Sequence, residues 1–459
     1  MTSEASDASV GRAHRDGASP PGPKGQFLLG NLVPLARDAF GFLLHCAQQY
    51  GDMVSLRLVG WPAIFLNSPA ALEEMLVKQH DKFIKHRFYW RHVRGVFGQG
   101  LFLSEGAFWH RQRRLAAPAF TPRRVASYAE SMVRHVEGMA ATWKPGERRD
   151  LHADMMALTL IIACDTFFRV ELKSDVAEIG RAVNAIADEM ALRRRRLFAI
   201  PDWVPLARHR RYRRAIRTIE RMVYAIIRER QRDGRDRGDL LSVLVSARDE
   251  AGRPMPDRQL RDEVVTLLLA GQETTALVLT WMFYLLGTHP EADARLAAEL
   301  ESVLNGRAPA AEDLPKLPYA EHVALEAMRL YPPVWVFGRE ATADCVIGGY
   351  PVPAGTTLLI SPWVTHRDPR LYDDPLAFQP ERWENGLARK LPRLAYFPFS
   401  GGPRVCLGAQ FAMQELTLVL AGVAQRYRLK VMNKEPIEPS PSITLRPKQT
   451  IWVEPEMRQ

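Results

Sequence analysis

The sequence predicts a mostly α fold with a small β part. Helical periodicity dominates from about residue 67 to about residue 330, and a further helix is predicted over about residues 407–427. Two segments, residues 53–66 and 345–360, instead show the alternation and turn residues that are typical of strands. No internal repeat and no strong linker interrupts the chain, so we expect one large domain over residues 25–459.

The first 24 residues are predicted to form a disordered tail, because they are polar and end in a cluster of prolines. They contain no apolar run, so we expect neither a signal peptide nor a membrane anchor. A soluble, cytoplasmic protein is the corresponding expectation. A helix over residues 39–50 follows, and then a hairpin that turns around Gly60. Short strands with turns at Gly348 and Gly355 are predicted over residues 345–360.

The apolar run over residues 264–286 is long enough to span a bilayer. A glutamate, Glu273, stands near its centre, where it would be costly in lipid. Asp257 stands before the run and Pro290 after it, as at the ends of a helix. We therefore predict one long helix through the protein core with a polar break in its middle.

The net charge of +10 admits nucleic acid, an anionic membrane or an acidic protein as a partner. Nucleic acid ranks last and is not expected, because no nucleic-acid-binding motif accompanies the charge. Arginine-rich stretches at residues 193–196 and 208–217 interrupt the helical pattern, and we interpret them as solvated faces. Three of the cysteines, Cys46, Cys164 and Cys345, are predicted to be reduced, buried thiols, since their spacing fits no zinc site.

The fourth cysteine, Cys406, lies in the segment FSGGPRVCLG, which ends at Gly408. We predict that Cys406 lies in the first turn of the last helix, where backbone N–H groups and the helix dipole stabilise a thiolate. Gly408 leaves room for a flat macrocycle, and Arg404 is placed to meet an anionic carboxylate of that macrocycle. From these residues alone, a structural turn with an inert cysteine stays open.

The segment resembles the haem-binding loop of cytochrome P450 enzymes, whose pattern is FxxGxRxCxG. The matching residues are Phe399, Gly402, Arg404, Cys406 and Gly408. The resemblance continues in the family's order from about Pro23 onward. It implies a haem b (iron protoporphyrin IX) that lies between the long central helix and the Cys-led C-terminal helix, with Cys406 as the ligand of the iron.

Further motifs carry the same resemblance. AGQETT, from Ala270, resembles the family's oxygen-activation motif, which implies that Thr274 and Glu273 deliver protons; a simple helix kink with threonine back-bonding is the local alternative. Gly271 is expected to leave room for a diatomic ligand. Trp109 and Arg113 match the family's WxxxR pair. With Arg339 and Arg404, these residues are expected to bind the haem propionates.

Glu326 and Arg329 resemble the family's ExxR element, although such a pair is weak evidence by itself. The segment from Pro380 to Trp383 resembles its PERF element, with Trp383 in place of phenylalanine. The implied role of Glu326, Arg329 and Arg382 is a structural network around the haem loop.

The resemblance also places a lipophilic substrate pocket, although its apolar residues are equally compatible with ordinary core. Its expected lining residues are Phe88, Trp90, Val96, Phe97, Ala270, Val334, Val336 and Phe337. Fatty acids, terpenoids and steroids all stay open as substrates.

The implied activity is haem-dependent monooxygenation, in which O2 is activated and a lipophilic molecule is hydroxylated. No flavin or ferredoxin domain is recognised in the sequence, so electrons from NAD(P)H are expected through an acidic ferredoxin or flavodoxin with its reductase. A haem-thiolate peroxygenase or isomerase and a non-enzymatic haem gas sensor are the alternatives.

We predict that the reduced protein with carbon monoxide shows the red-shifted Soret band of a thiolate-ligated haem. Cys406→Ala should abolish this band, while Cys345→Ala should retain it, because only the first change removes the proposed ligand. Absorption difference spectra measure both. A Cys406→Ala protein with the parental spectrum would exclude Cys406 as the ligand.

Overall fold

The computed structural model describes residues 19–171, 176–194, 204, 206–249 and 251–458. Most of the predicted tail, residues 1–18, and positions 195 and 196 of the first arginine-rich stretch therefore lie outside the described residues.

The described chain is mostly α-helical with small sheets, so the predicted fold class is confirmed. The helices are α1 Leu32–Arg37, α2 Ala39–Tyr50, α3 Pro69–Glu73, α4 Arg87–Phe97, α5 Gly106–Ala116, α6 Pro122–Ser127, α7 Ala129–Ala140, α8 Leu151–Phe168, α9 Val176–Arg194, α10 Ala207–Asp233, α11 Leu240–Ser246, α12 Asp257–Thr288, α13 Pro290–Leu304, α14 Pro318–Leu330, α15 Pro362–Thr365, α16 Leu387–Lys390 and α17 Ala409–Ala424.

The strands are β1 Met53–Leu58, β2 Trp61–Leu66, β3 Phe83–Lys85, β4 Arg149–Asp150, β5 Phe337–Ala341, β6 Cys345–Ile347, β7 Tyr350–Val352, β8 Thr357–Ile360, β9 Tyr427–Val431, β10 Pro439–Pro441, β11 Leu445–Pro447 and β12 Trp452–Met457. The largest sheet has the order β1-β2-β8-β5-β3. Only the β2–β8 pair in this sheet is parallel. A three-stranded sheet has the order β4-β12-β9, and β6–β7 and β10–β11 form separate pairs.

The local predictions agree closely with these elements. The predicted helix over residues 39–50 is α2, and the predicted hairpin is β1–β2. Val59 and Gly60 form its turn with φ of 50° and 82°, a conformation that glycine adopts without strain. The last helix ends three residues earlier than predicted, at Ala424, because Tyr427 begins β9.

The predicted boundary of the N-terminal tail is wrong. Pro20 is buried, and the N–H of Ser55 in β1 donates a hydrogen bond of 2.8 Å to the carbonyl of Pro21. The Asn31 side chain donates to the carbonyl of Pro23 at 3.4 Å. Residues 20–23 therefore lie against the hairpin, since carbonyls can pair with a strand even where prolines supply no donor.

The long central helix α12 passes through the protein core, as predicted. Both α8 and α12 have the length and composition of membrane spans, yet 72% and 78% of their apolar windows are buried inside the protein. This burial is what a core helix requires. The predicted polar break does not interrupt α12, which is continuous over 32 residues.

A buried ionic network fastens α14 to the segment that precedes the Cys406 loop. Glu326 is fully buried, and one of its oxygens accepts hydrogen bonds from Arg329 at 2.8 Å and from Arg382 at 2.9 Å. The other accepts from Arg329 at 2.8 Å and from the indole N–H of Trp383 at 2.9 Å. Trp383 thus adds a donor that phenylalanine cannot supply.

The guanidinium of Arg329 also holds the backbone of a loop region. It donates to the carbonyls of His366, Pro375 and Ala377 at 2.9, 2.7 and 2.9 Å. A buried charge is stable only where its hydrogen bonds are satisfied. The network therefore fixes the path of an irregular segment that has few regular backbone pairs of its own.

We predict that Trp383→Phe lowers the free energy of unfolding by about 2 kcal/mol, because it removes one hydrogen bond to a buried carboxylate. Chemical denaturation of the full chain measures this change. Trp61→Phe, at a half-exposed position of β2, is the matched control and should change stability little. Equal effects of both substitutions would show that the indole N–H of Trp383 contributes nothing specific.

Candidate active site

The Cys406 loop is held by backbone contacts that admit glycine alone at one position. Gly402 has a φ of 67°, and a Cβ there would lie 1.8 Å from the carbonyl oxygen of Leu76. The N–H of Cys406 donates to the carbonyl of Phe399 at 2.9 Å, which closes the loop. The loop is therefore positioned before α17 begins at Ala409.

Cys406 lies just before α17, not in its first turn as predicted, and Gly408 is the N-cap residue. Burial raises the pKa of the Cys406 thiol, while the N–H of Gly408 and the guanidinium of Arg113 act in the opposite direction. The side chain is nevertheless accessible to solvent. Because the Cys406 thiol is accessible to solvent and yet surrounded by protein, we place it in the wall of an internal cleft.

The WxxxR helix α5 contributes to the same wall. Trp109 is buried, and the guanidinium of Arg404 lies 4.1 Å from the centre of its ring. Arg113 lies 5.7 Å from that ring. Burial lowers the pKa of Arg113, and the nearby Cys406 partly offsets this effect. The structure thus brings Trp109, Arg113 and Arg404 together beside Cys406.

A cluster of cations lies next to this group. Arg339 of β5 and Lys85 of β3 are paired directly across the sheet, where like charges destabilise strand pairing. Burial and Arg404 lower the pKa of Arg339 to about 10. Burial, Arg404 and Arg339 hold the pKa of Lys85 well below its usual value, and Glu105 opposes them.

The charge of this cluster is not balanced by its own residues. Arg404 pairs with Glu105 and donates to the carbonyl of Ser104 at 3.1 Å. Arg339 donates to the carbonyl of Gly338 at 3.0 Å, and Lys85 donates to the carbonyl of Phe102. Among the described residues, Glu105 is the one carboxylate that raises the pKa of both Lys85 and Arg339. The surplus of positive charge fits a ligand with more than one carboxylate.

Lys85 was not identified from the sequence. A single lysine in a three-residue strand gives no local signal, and its importance follows from the pairing of β3 with β5. A thiol beside an unneutralised cationic cluster suits a haem, which offers iron to a soft sulphur ligand and two propionates to the cations.

The middle of α12 presents a second surface to a cleft. Ala270 is exposed and Thr274 partly exposed, although most of the surrounding helix is buried. The hydroxyl of Thr274 donates to the carbonyl of Ala270 at 2.6 Å. A Cβ on Gly271 would lie 3.1 Å from the ring of Phe167, so this glycine serves the packing of α12 on α8. The expected role of Gly271 in leaving room for a diatomic ligand stays a prediction.

Glu273 is anchored away from Thr274. One of its carboxylate oxygens accepts hydrogen bonds from the Thr444 hydroxyl at 2.9 Å and from Arg446 at 2.8 and 2.6 Å. The structure therefore does not join the Glu273 carboxylate and the Thr274 hydroxyl in one hydrogen bond. The anchor was not foreseen, since Arg446 lies far along the chain on β11.

The expected substrate pocket is assembled only in part. Val96 is 1% exposed and belongs to the main core, so its prediction as a pocket residue is wrong. Val336 is only partly buried and contacts the apolar cluster around α2, so its place in the pocket stays a prediction. Inward-facing apolar residues that fill a core and those that line a pocket have the same sequence pattern.

Other expected pocket residues retain access to solvent. Phe97 and Phe337 are partly exposed, and Val334 is 37% exposed. The Phe337 ring lies 5.1 Å from the guanidinium of Arg339, which places it beside the cationic cluster. The side chains of Phe88 and Trp90 lie outside the part of the chain that the structure describes.

Comparison with known proteins agrees with this site. The model of the cytochrome P450 family matches residues 20–453, and the chain belongs to this family of haem-thiolate enzymes. It is 37% identical to cyclooctatin synthase of Streptomyces melanosporofaciens over 92% of each chain. It is 35% identical to cyclooctat-9-en-7-ol 5-monooxygenase of the same organism over 88% of each chain. Identity to pentalenene oxygenase of Streptomyces avermitilis is 32%, over 85% of this chain and 87% of the relative.

The family assignment confirms that the protein is a cytochrome P450 monooxygenase with haem iron as its cofactor. The fold class, the oxidoreductase class and the haem were each predicted from the sequence.

Proposed function

We propose that this enzyme hydroxylates a terpenoid with O2 and with electrons from NAD(P)H that separate redox proteins deliver. The observation that carries the proposal is the accessible Cys406 thiol beside the unneutralised cations of the cleft wall. The names of the relatives, cyclooctatin synthase, cyclooctat-9-en-7-ol 5-monooxygenase and pentalenene oxygenase, narrow the substrate class from any lipophile to terpenoids.

In this proposal Cys406 binds the haem iron, and Gly408 and Arg113 stabilise its thiolate. Arg113, Arg339, Arg404 and Lys85 hold the propionates, while Trp109 packs beneath Arg404. The bound haem supplies the chemistry of O2 activation. The protein binds the haem and the substrate, orients them, and excludes water from the cleft.

Thr274 is the residue proposed to hold a proton at the cleft face of α12, beside Ala270. Its hydroxyl donates to the Ala270 carbonyl, and rotation about χ1 would redirect the same proton into the cleft. Glu273 would resupply that proton only after leaving Arg446 and Thr444. As long as the Glu273–Arg446 ion pair is closed, Glu273 and Thr274 are therefore not connected in the proposed proton path.

A cytoplasmic location fits the state of the other cysteines. Cys46, Cys164 and Cys345 are free and buried. Burial raises the pKa of Cys46 to about 11 and that of Cys164 to about 12, so both thiols are protonated and inert at neutral pH. We propose that the protein acts in the reducing cytoplasm, as its bacterial relatives suggest.

We predict that a terpenoid alcohol shifts the haem absorption band and is hydroxylated in the presence of NADPH and a surrogate ferredoxin system. Thr274→Ala should retain haem and substrate binding, but its product per NADPH consumed should fall by about tenfold or more, because proton delivery is lost. Product, NADPH and hydrogen peroxide are measured together.

Thr274→Ser keeps the hydroxyl and should restore most of the coupling. Parental coupling in Thr274→Ala would remove Thr274 from the proton path. Product formed with hydrogen peroxide alone, and none with NADPH, would instead establish a peroxygenase.

The exposed side of α5 is proposed as the docking surface for an acidic electron donor. Trp109 and Arg113 face the cleft, whereas Arg111 and Arg114 are exposed on the same helix. Arg124, which follows on α6, is less available because it donates to the carbonyl of Gly238 at 2.9 Å. An acidic ferredoxin or flavodoxin would approach the Cys406 loop through α5, which contributes to the wall beside that thiol.

We predict that reduction by an acidic ferredoxin slows with rising ionic strength, and that joint Arg111→Glu and Arg114→Glu substitution slows it by about tenfold or more at low salt. Stopped-flow reduction of the carbon monoxide complex measures the rate. Arg37→Glu with Arg389→Glu, also at exposed positions, is the control for net charge. A rate that is indifferent to salt and to both variants would contradict docking at α5.

A further inference from the structure

One face of α10 carries a row of arginines that the proposed reaction does not use. At about 100° per residue, the members of the row fall within a sector of about 80° of the helix circumference. The only other residue in that sector at this spacing is Tyr224. The arginines are Arg210, Arg214, Arg217, Arg221, Arg228 and Arg232.

The row is exposed and poor in acidic partners. All of its arginines are exposed. Within the described residues, Arg221 has one ion pair, with Glu178 at 3.6 Å, and both side chains are mostly exposed. Glu220, beside the row, is already paired with Arg261 at 2.8 Å. Among the described residues, the positive charge of the row therefore faces solvent with the Arg221–Glu178 pair as its one ion pair.

The opposite face of α10 fixes the direction of the row. Tyr212, Ile219, Val223 and Ile226 are buried in the main core. Their burial prevents the helix from rotating about its axis, so the arginines cannot turn inward. Like charges one turn apart disfavour a helix, which means that the row adds nothing to local stability.

The chemistry of the row points to phosphate. Guanidinium groups bind phosphate oxygens in pairs, and a tyrosine among them has both an apolar body and a polar tip. From Arg210 to Arg232 the row is about 33 Å long and straight. A flat array of phosphates meets such a row along its whole length, whereas the phosphates of a nucleic-acid duplex curve away from it.

We propose that the arginine row of α10 docks the enzyme on an anionic phospholipid bilayer. This choice of surface rests on the proposed function, because a terpenoid substrate partitions into lipid. It is also consistent with the position of α10, which packs on α12, the helix that presents Ala270 and Thr274 to the cleft. Docking would hold the enzyme where its substrate is concentrated, and the attraction would weaken with salt.

The test is co-sedimentation of the haem-loaded full chain with vesicles of phosphatidylglycerol and phosphatidylcholine, or of phosphatidylcholine alone. The parent should bind the first and not the second, and binding should fall as salt rises. Replacement of Arg210, Arg214, Arg217 and Arg221 by glutamine should weaken binding by about tenfold or more. Because the assay needs neither substrate nor turnover, its outcome is independent of whether a terpenoid is hydroxylated.

The matched control removes the same number of charges at scattered exposed positions, with glutamine at Arg37, Arg94, Arg389 and Lys390. This variant should bind vesicles like the parent, and the carbon monoxide spectra of both variants should show that each is folded. If both variants bound vesicles equally weakly, binding would depend on net charge alone, and the proposal would be overturned. Absence of vesicle binding would also overturn it, including the case in which duplex DNA or an acidic protein binds the row instead.

Discussion

The arrangement of the site depends on the hydrogen bonds that the buried carboxylate of Glu326 accepts. This carboxylate is fully buried and receives hydrogen bonds from Arg329, Arg382 and Trp383, so its charge is satisfied only when α14 and the segment near residue 380 are in place. Arg329 then binds three backbone carbonyls of the irregular chain that leads to the Cys406 loop. A segment with little secondary structure thereby becomes a rigid support.

The support is needed because the site itself concentrates groups that repel one another. Lys85 and Arg339 face each other across two strands, and Arg404 lies close enough to lower the pKa of both. Within the described part of the chain, Glu105 alone acts against the charge of this cluster. The propionates of a haem bound as proposed would neutralise the cluster, and haem retention would then depend on the packing of β3 against β5.

Positive charge is used differently at the surface. On α5 the cleft-facing Arg113 acts on Cys406, while exposed neighbours on the same helix are proposed to attract an electron donor. On α10 a longer row is proposed to meet lipid phosphates. Both proposals need arginines whose charge is not already paired, and that condition is visible only after the ion pairs of the structure are known.

Much of the fold was predictable because its signals are local. The hairpin β1–β2 has its turn residues in sequence, α12 has its apolar run, and the Cys406 loop has glycine where a positive φ and a close carbonyl exclude every other residue. The spacing of Glu326 and Arg329 likewise lies within one helical turn.

Tertiary structure alone decided the rest. It placed Pro21 against Ser55, Lys85 opposite Arg339, and Glu273 in contact with Arg446. It also buried Val96 in the core, although its apolar pattern is equally suited to a pocket. Each of these contacts joins segments that are distant in sequence. Periodicity determines which face of an element is apolar, but the partner of that face depends on how distant elements pack and on the register of their strands.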